Sequence, residues 1–113
     1  MLQGDGLIIA ISSVASYSPS VSGAAYSAAK AGLNMLSGYV NTEEGVNGIR
    51  SCIVAPGEID TPIMDDRPVP PTPEQRSRML RAEDIAEIVV SLVRQPRSVL
   101  TNQVVVRPRM YTM

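Results

Sequence analysis

Leu7, Ile8, Ile9 and Ile11 form a nearly unbroken apolar run behind the punctuation of Gly4, Asp5 and Gly6. A continuous apolar run, unlike an alternating one, is the pattern of a strand covered on both faces by helices. Serines then crowd positions 12–22, with Pro19 among them, and predict a loop. From about Gly23 to Glu44 the period lengthens. Ala25, Ala28, Ala29, Leu33, Leu36 and Val40 recur at three- and four-residue steps and predict a helix packed closely through its small residues. "EEGVNG" ends it with glycine. A second apolar strand is predicted over Ile49 to Ala55, stopped by Pro56 and Gly57.

The stretch "EIDTPIMDDRPVPPTP" is too long and too proline-rich for an ordinary connection, and predicts a functional lid or a disordered segment. Thr72-Pro73-Glu74-Gln75 carries the signals that open a short helix. "AEDIAEIVVSLVRQP" is amphipathic, with Ile85, Ile88, Val89, Leu92 and Val93 as its apolar stripe. Its acidic start and Arg94 near its end suit the helix dipole, and Pro96 closes it. "NQVVVRP" predicts a short third strand. Strand, helix, strand, helix, strand is an α/β order, expected to fold as a three-stranded parallel sheet with two right-handed crossovers.

Composition narrows the function. The 113 residues suit one domain, and 44% hydrophobic with 19% charged residues is a globular balance. Net charge is −1, with ten basic and eleven acidic residues spread along the chain, so neither nucleic acid nor an anionic membrane is an expected partner. No apolar run approaches the ~20 residues of a membrane span, and no signal peptide is read at the N-terminus. The single cysteine, Cys52, fits a reducing compartment, and the expected location is cytoplasmic. Histidine is absent, which removes histidine-based triads and most zinc sites, and no metal is expected. No Gly-x-Gly-x-x-Gly or Gly-x-x-x-x-Gly-Lys-[Ser/Thr] loop is present to cradle phosphate.

The candidate chemistry lies in "AAYSAAKAGLNML". Tyr26 and Lys30, four apart on a helix, stack on one face. A tyrosine with an ordinary pKa of about 10 needs a nearby cation to exchange protons near neutrality, and Lys30 can supply it. Ser13 ends the first predicted strand, at the sheet edge where doubly wound folds bind ligands. Its hydroxyl could hold a substrate carbonyl while Tyr26 delivers a proton. Taken singly, each feature has a plainer reading. The Tyr-Lys pair fits a solvated helix face, Ser13 fits a loop serine bonding nearby backbone, and Pro56-Gly57 fits simple turn chemistry.

In combination, "IIAISS", the thirteen-residue step from Ser13 to Tyr26, "YSAAK" and "IRSCIVAPGEIDTP" resemble the short-chain dehydrogenase/reductase family. "AEDIAEIVVSLV" and "NQVVVRP" resemble its last helix and last strand, so the resemblance spans essentially the whole chain. It implies that residues 1–113 are the carboxyl-terminal part, fifth strand to last, of a Rossmann-like doubly wound parallel sheet. By the same resemblance Tyr26 is the catalytic acid/base and a cofactor-binding residue, Lys30 lowers its pKa and binds the nicotinamide ribose, and Ser13 positions and polarises the substrate carbonyl. Pro56 and Gly57 lie by the nicotinamide ring, the Ile59 backbone meets the carboxamide, and Thr61 approaches the cofactor phosphates. The implied cofactor is NAD or NADP, and the implied substrate a small carbonyl or alcohol. The short segment after Thr61 and the ending "TNQVVVRPRM" look most like members acting on small hydroxy acids. Dimers or tetramers are the assemblies the resemblance implies.

Two departures qualify it. Cys52 stands where the family often has asparagine, and reads as a small buried residue rather than a nucleophile, since no histidine exists to activate it. The family's Gly-rich loop, its NAD/NADP-selecting residue, its Asn-Ala-Gly stretch and its catalytic asparagine have no counterpart here. "MLQGDG" resembles the end of a helix entering the fifth strand, which would leave the first strand of this chain as an open edge. Three readings stay open. The chain is a portion of an enzyme completed by further polypeptide, a non-catalytic relic that associates with relatives, or a family member with altered chemistry such as epimerisation.

Overall fold

The computed structural model describes residues 4–110, so the expected helix end at Met1–Gln3 lies outside the described residues. Three strands, β1 (Gly6–Ile11), β2 (Ile49–Pro56) and β3 (Gln103–Val106), form one parallel sheet in the order β1-β2-β3. Helix α1 (Ala24–Glu44) connects β1 to β2, and α2 (Pro73–Ser77) and α3 (Ala82–Val93) lie between β2 and β3. The α/β class, the parallel sheet and the element order agree with the sequence reading.

β2 is the centre of the molecule. Ser51 to Ala55 are all 2% exposed or less, so this strand is covered on both faces. Alternation along the strand separates the two packing layers. Cys52 and Val54 join Leu80, Ile85 and Leu92 in the core under α3, with Ile9 and Val104 from the flanking strands packed beside them. On the opposite face Ser51 meets α1, where its hydroxyl and that of Ser37 lie 2.6 Å apart. Fully burying an aliphatic residue such as Ile53 or Val54 contributes roughly 1.5–3 kcal/mol, which makes β2 the main source of sheet stability. Burial pushes the Cys52 thiol pKa up, so Cys52 stays protonated as a small core group.

The two helical layers on opposite faces correct the crossover expectation. The strand order moves in one direction, β1 to β2 to β3, yet α1 covers the Ser51 face and α3 the Cys52–Val54 face. Successive parallel crossovers in the same direction on opposite faces have opposite hands, so the two cannot both be right-handed. One is left-handed, an arrangement found in only ~2% of such connections. The long segment between β2 and α3 gives the chain enough reach to change faces.

That segment is not a disordered tract. Its first part bridges to the turn before α3, where the Asp60 N–H donates to the Leu80 carbonyl (2.8 Å) and the Leu80 N–H to the Glu58 carbonyl (3.0 Å). Met64, in a 3-10 turn over Pro62–Asp66, is buried, and Arg76 reaches back to both Asp60 and Asp65. The expected short helix is present as α2. The Gln75 N–H donates to Thr72 Oγ1, and the Thr72 N–H donates to Gln75 Oε1, closing a capping box.

Two further expectations change. β1 is covered only in part, with Ile8 48% and Ile11 45% exposed, because α1 packs over β2 and β1 is an edge strand among the described residues. The expected stripe of α1 faces outward at Ala25, Ala28, Ala29 and Leu36. The helix meets the sheet side instead through Lys30, Leu33, Asn34, Ser37, Val40 and Asn41, a mostly polar stripe. Asn41 explains why polar groups succeed there. β3 begins opposite Ile53, and Asn41 satisfies the Ser51 backbone beyond its end, accepting from the Ser51 N–H (2.6 Å) and donating to its carbonyl (2.8 Å). On α3 the stripe is as expected, save that Val93 is exposed. Among the described residues no helix is long and apolar enough to cross a membrane.

Candidate active site

The carboxyl ends of all three strands open on one edge, where Ser13 follows β1, Pro56 and Gly57 end and follow β2, and Arg107-Pro108 follows β3. Ser13 caps a 3-10 turn over Val14–Ser16, and its Oγ accepts the Ala15 N–H at 3.1 Å. Because a serine hydroxyl is one donor and two acceptors, this cap leaves its proton available for a carbonyl. Ser13 is thus both a loop serine, as the plainer reading had it, and a group whose donor is available at the strand end.

Tyr26 sits in the first turn of α1 and is 41% exposed. Lys30, one turn on, donates from Nζ to the Ile11 carbonyl at 3.2 Å, and its Nζ lies 5.7 Å from the centre of the Tyr26 ring. The lysine therefore does two things: it pins α1 to the end of β1, and it places a cation beside the phenol. An ammonium has three donors, so the bond to Ile11 does not exhaust it.

A second tie was not read from the sequence. Asn34 Nδ2 donates to Ser16 Oγ at 2.8 Å, and Ser16 Oγ donates to the Ser13 carbonyl at 2.6 Å. Asn34 is four residues beyond Lys30 and eight beyond Tyr26, so all three share one helix face. That spacing was the available signal. Through it α1 holds the Ser13 loop from a second point, and the three candidate catalytic groups are fixed relative to one another.

The residues expected at the cofactor lie on the adjoining strand end. Pro56 is buried as the last residue of β2. Gly57 donates its N–H to the Val106 carbonyl at 2.7 Å, and an added Cβ would meet Pro108 Cδ at 3.2 Å, so close packing against the end of β3 explains its glycine. Ile59 forms a parallel bridge with Leu80 whose bonds use the Glu58 carbonyl and the Asp60 N–H. Alternation then turns the Ile59 N–H and C=O to the other side, where one donor and one acceptor match a primary carboxamide. The Thr61 hydroxyl makes no cap bond to the following 3-10 turn. These backbone and hydroxyl groups fit a nicotinamide cofactor.

Parallel strands with helices on both faces, carrying polar groups at their carboxyl ends, define a doubly wound class of α/β protein. The sequence model of the short chain dehydrogenase family matches residues 1–69, and the chain belongs to that family. An uncharacterized oxidoreductase of Staphylococcus epidermidis is 31% identical over 106 residues, covering 94% of this chain and 44% of the relative. A short chain dehydrogenase/reductase family oxidoreductase from Burkholderia thailandensis superposes with a TM-score of 0.78 at 27% identity, over 95% of this chain and 45% of that one. Serine dehydrogenase from Escherichia coli superposes at 0.73 and 24% identity, over 92% of this chain and 40% of that one, and bears on the fold alone. The chain thus spans less than half the length of each of these proteins.

Proposed function

We propose that this chain carries the proton-transfer side of an NAD(P)-dependent oxidoreductase acting on a small hydroxy or keto substrate. The observation that carries the reading is the Lys30 bridge, which holds the cation beside Tyr26 and locks the helix to the strand end leading into Ser13. In the reducing direction the Ser13 hydroxyl donates to the substrate carbonyl oxygen and orients it. As charge develops on that oxygen, Tyr26 Oη gives up its proton to it, and Lys30 stabilises the phenolate left behind. Oxidation reverses the path, with Tyr26 accepting the alcohol proton. A nicotinamide, when bound, supplies or accepts the hydride. Pro56, Gly57, the Ile59 backbone and Thr61 would hold its reactive end, and Lys30 its ribose.

Residues 1–113 are, on this reading, the fifth-to-last-strand portion of a partial Rossmann-like domain, and further polypeptide supplies the pyrophosphate grip. Such remote contacts matter for rate as well as affinity, because they fix the reacting geometry. The test is consumption of NADH or NADPH with small keto acids, using the 113-residue chain and the full product of its gene. Consumption by the full product but not by the 113 residues is expected. Turnover by the 113 residues alone contradicts the need for further polypeptide, and no turnover by either contradicts the oxidoreductase reading. A second reading, an association module without catalysis, draws on the half-exposed isoleucines of the β1 edge. It predicts assembly without turnover.

Asn34 is a positioning residue in this scheme. Asn34→Ala is expected to lower kcat roughly tenfold, with a smaller change in substrate KM, because the Ser13 loop loses its tie to the helix bearing Tyr26. Steady-state kinetics beside a thermal melt checks this. An unchanged kcat in a folded variant would remove the role.

A further inference from the structure

The turn that presents Ser13 is too small to hold itself in place. It spans three residues, Val14–Ser16, and a single 3-10 turn has little stability of its own. Its internal bonds are the Ser13 cap on the Ala15 N–H (3.1 Å) and the donations from the Ser16 and Tyr17 N–H groups to the Ser13 and Val14 carbonyls, both 3.0 Å. These shape the turn without fixing where it lies over the sheet. Ties to other elements do that. The bond from Asn34 on α1 to Ser16 is one such tie. A second comes from the opposite side of the sheet: Tyr17 Oη donates to Gln103 Oε1, 86 positions away in the chain.

Gln103 is a well-fixed anchor although its side chain is exposed. It opens β3 and pairs in register with Ile53, which is 1% exposed at the centre of the sheet. The Ile53 N–H donates to the Asn102 carbonyl at 3.0 Å, so the ladder closes beside the anchor. β1 and β3 flank β2 and are not neighbours; at ordinary strand spacing they lie roughly 10 Å apart. The chain leaves β1 with the Ser12 N–H on the Val54 carbonyl (2.7 Å), passes over β2 and ends at Tyr17 on β3. The Tyr17 bond therefore joins the two outer strands across the end of the middle one, with the Ser13 turn between them.

From this arrangement we infer that the Tyr17–Gln103 bond is a clamp that fixes the Ser13 turn against β3, and that Tyr17 is a positioning residue for the Ser13 hydroxyl. The positioning role rests on the proposed oxidoreductase function, whereas the clamp does not. The Tyr17 proton is engaged by Gln103, so Tyr17 acts through the turn. With α1 holding the turn at Ser16 and β3 holding it at Tyr17, the Ser13 hydroxyl is fixed from both sides.

The test reads amide hydrogen exchange and steady-state kinetics on the full gene product. Tyr17→Phe and Gln103→Leu are each expected to speed exchange over residues 13–17 by about three- to tenfold, the scale of one net hydrogen bond, and to leave β2 unchanged. Gln103→Glu keeps an acceptor for the phenol and should restore near-wild-type exchange. Tyr17→Phe should lower kcat by about three- to tenfold with a smaller change in substrate KM. In a Ser13→Ala background it should lower kcat no further, because the group it positions is gone. Tyr39→Phe, on the exposed face of α1, should change neither readout and serves as the control. Unchanged exchange over residues 13–17 in folded Tyr17→Phe overturns the clamp, and so does an equal rise in exchange throughout β2. An undiminished kcat effect in the Ser13→Ala background overturns the positioning role. Absence of turnover in the wild type contradicts the oxidoreductase reading instead, and exchange still decides the clamp.

Discussion

Tyr26→Phe is expected to lower hydride transfer by about 10²- to 10⁴-fold, the range a positioned general acid contributes, while leaving the fold intact. The side chain is 41% exposed, so deleting its hydroxyl leaves no buried group unsatisfied and opens no cavity. Lys30 keeps its bond to the Ile11 carbonyl in the variant, so α1 stays attached to β1. What is lost is the proton itself. The phenylalanine ring fills the same space and cannot give a proton to the oxygen that becomes an alkoxide. Cofactor binding should be little changed, since the groups assigned to the cofactor lie mainly on the β2 end. The measurement is kcat with NADH or NADPH beside a denaturant melt. Wild-type turnover in the variant would remove Tyr26 from the mechanism.

The second large effect is on stability. Gly48 has φ +83, and a Cβ built there would lie 2.1 Å from the Gly4 carbonyl oxygen and 2.8 Å from its carbon. The left-handed conformation alone costs a non-glycine residue about 1–2 kcal/mol. The contact is with backbone, so a small rotamer change cannot relieve it. The Gly48 carbonyl also accepts the Gly6 N–H at 3.1 Å, where β1 begins, so a shift of Gly48 displaces the start of a strand. Gly48→Ala is expected to cost about 2–4 kcal/mol, read as a lower denaturation midpoint. Gly32 and Gly38 provide the contrast. Both lie within α1 with nothing near an added Cβ, and Gly→Ala at either should stabilise by about 0.5–1 kcal/mol. If Gly48→Ala and Gly38→Ala shift the midpoint in the same direction, the tight turn does not have the role assigned to it.

Much of the fold was legible because hydrophobic period and glycine–proline punctuation agree locally. β2 and α3 satisfied this well: a short apolar strand stopped by Pro56-Gly57, and a stripe closed by Pro96. α1 was legible as a helix but not in its orientation. Its apolar residues suggested the packing face, whereas Ser37, Asn41 and Asn34 find partners on Ser51 and Ser16 that no period reveals. Hydrogen bonds between small polar residues on different elements leave no hydrophobic signature. The opposite hands of the two crossovers were hidden for a similar reason, since they depend on which face a long connection reaches. At the site, Ser13, Tyr26 and Lys30 were visible as a spaced set. The Asn34–Ser16 tie was not, because a hydrogen bond between polar side chains on two separate elements leaves no hydrophobic pattern in either.

The most direct measurement of the central claim is label transfer. The full gene product is incubated with 4,4-dideuterated NADH or NADPH and a small keto acid, and the product alcohol is examined by mass spectrometry. Deuterium on the carbinol carbon, present with wild type and nearly absent with Tyr26→Phe, is the predicted result. Unlabelled product, or equal labelling by Tyr26→Phe, would contradict the account.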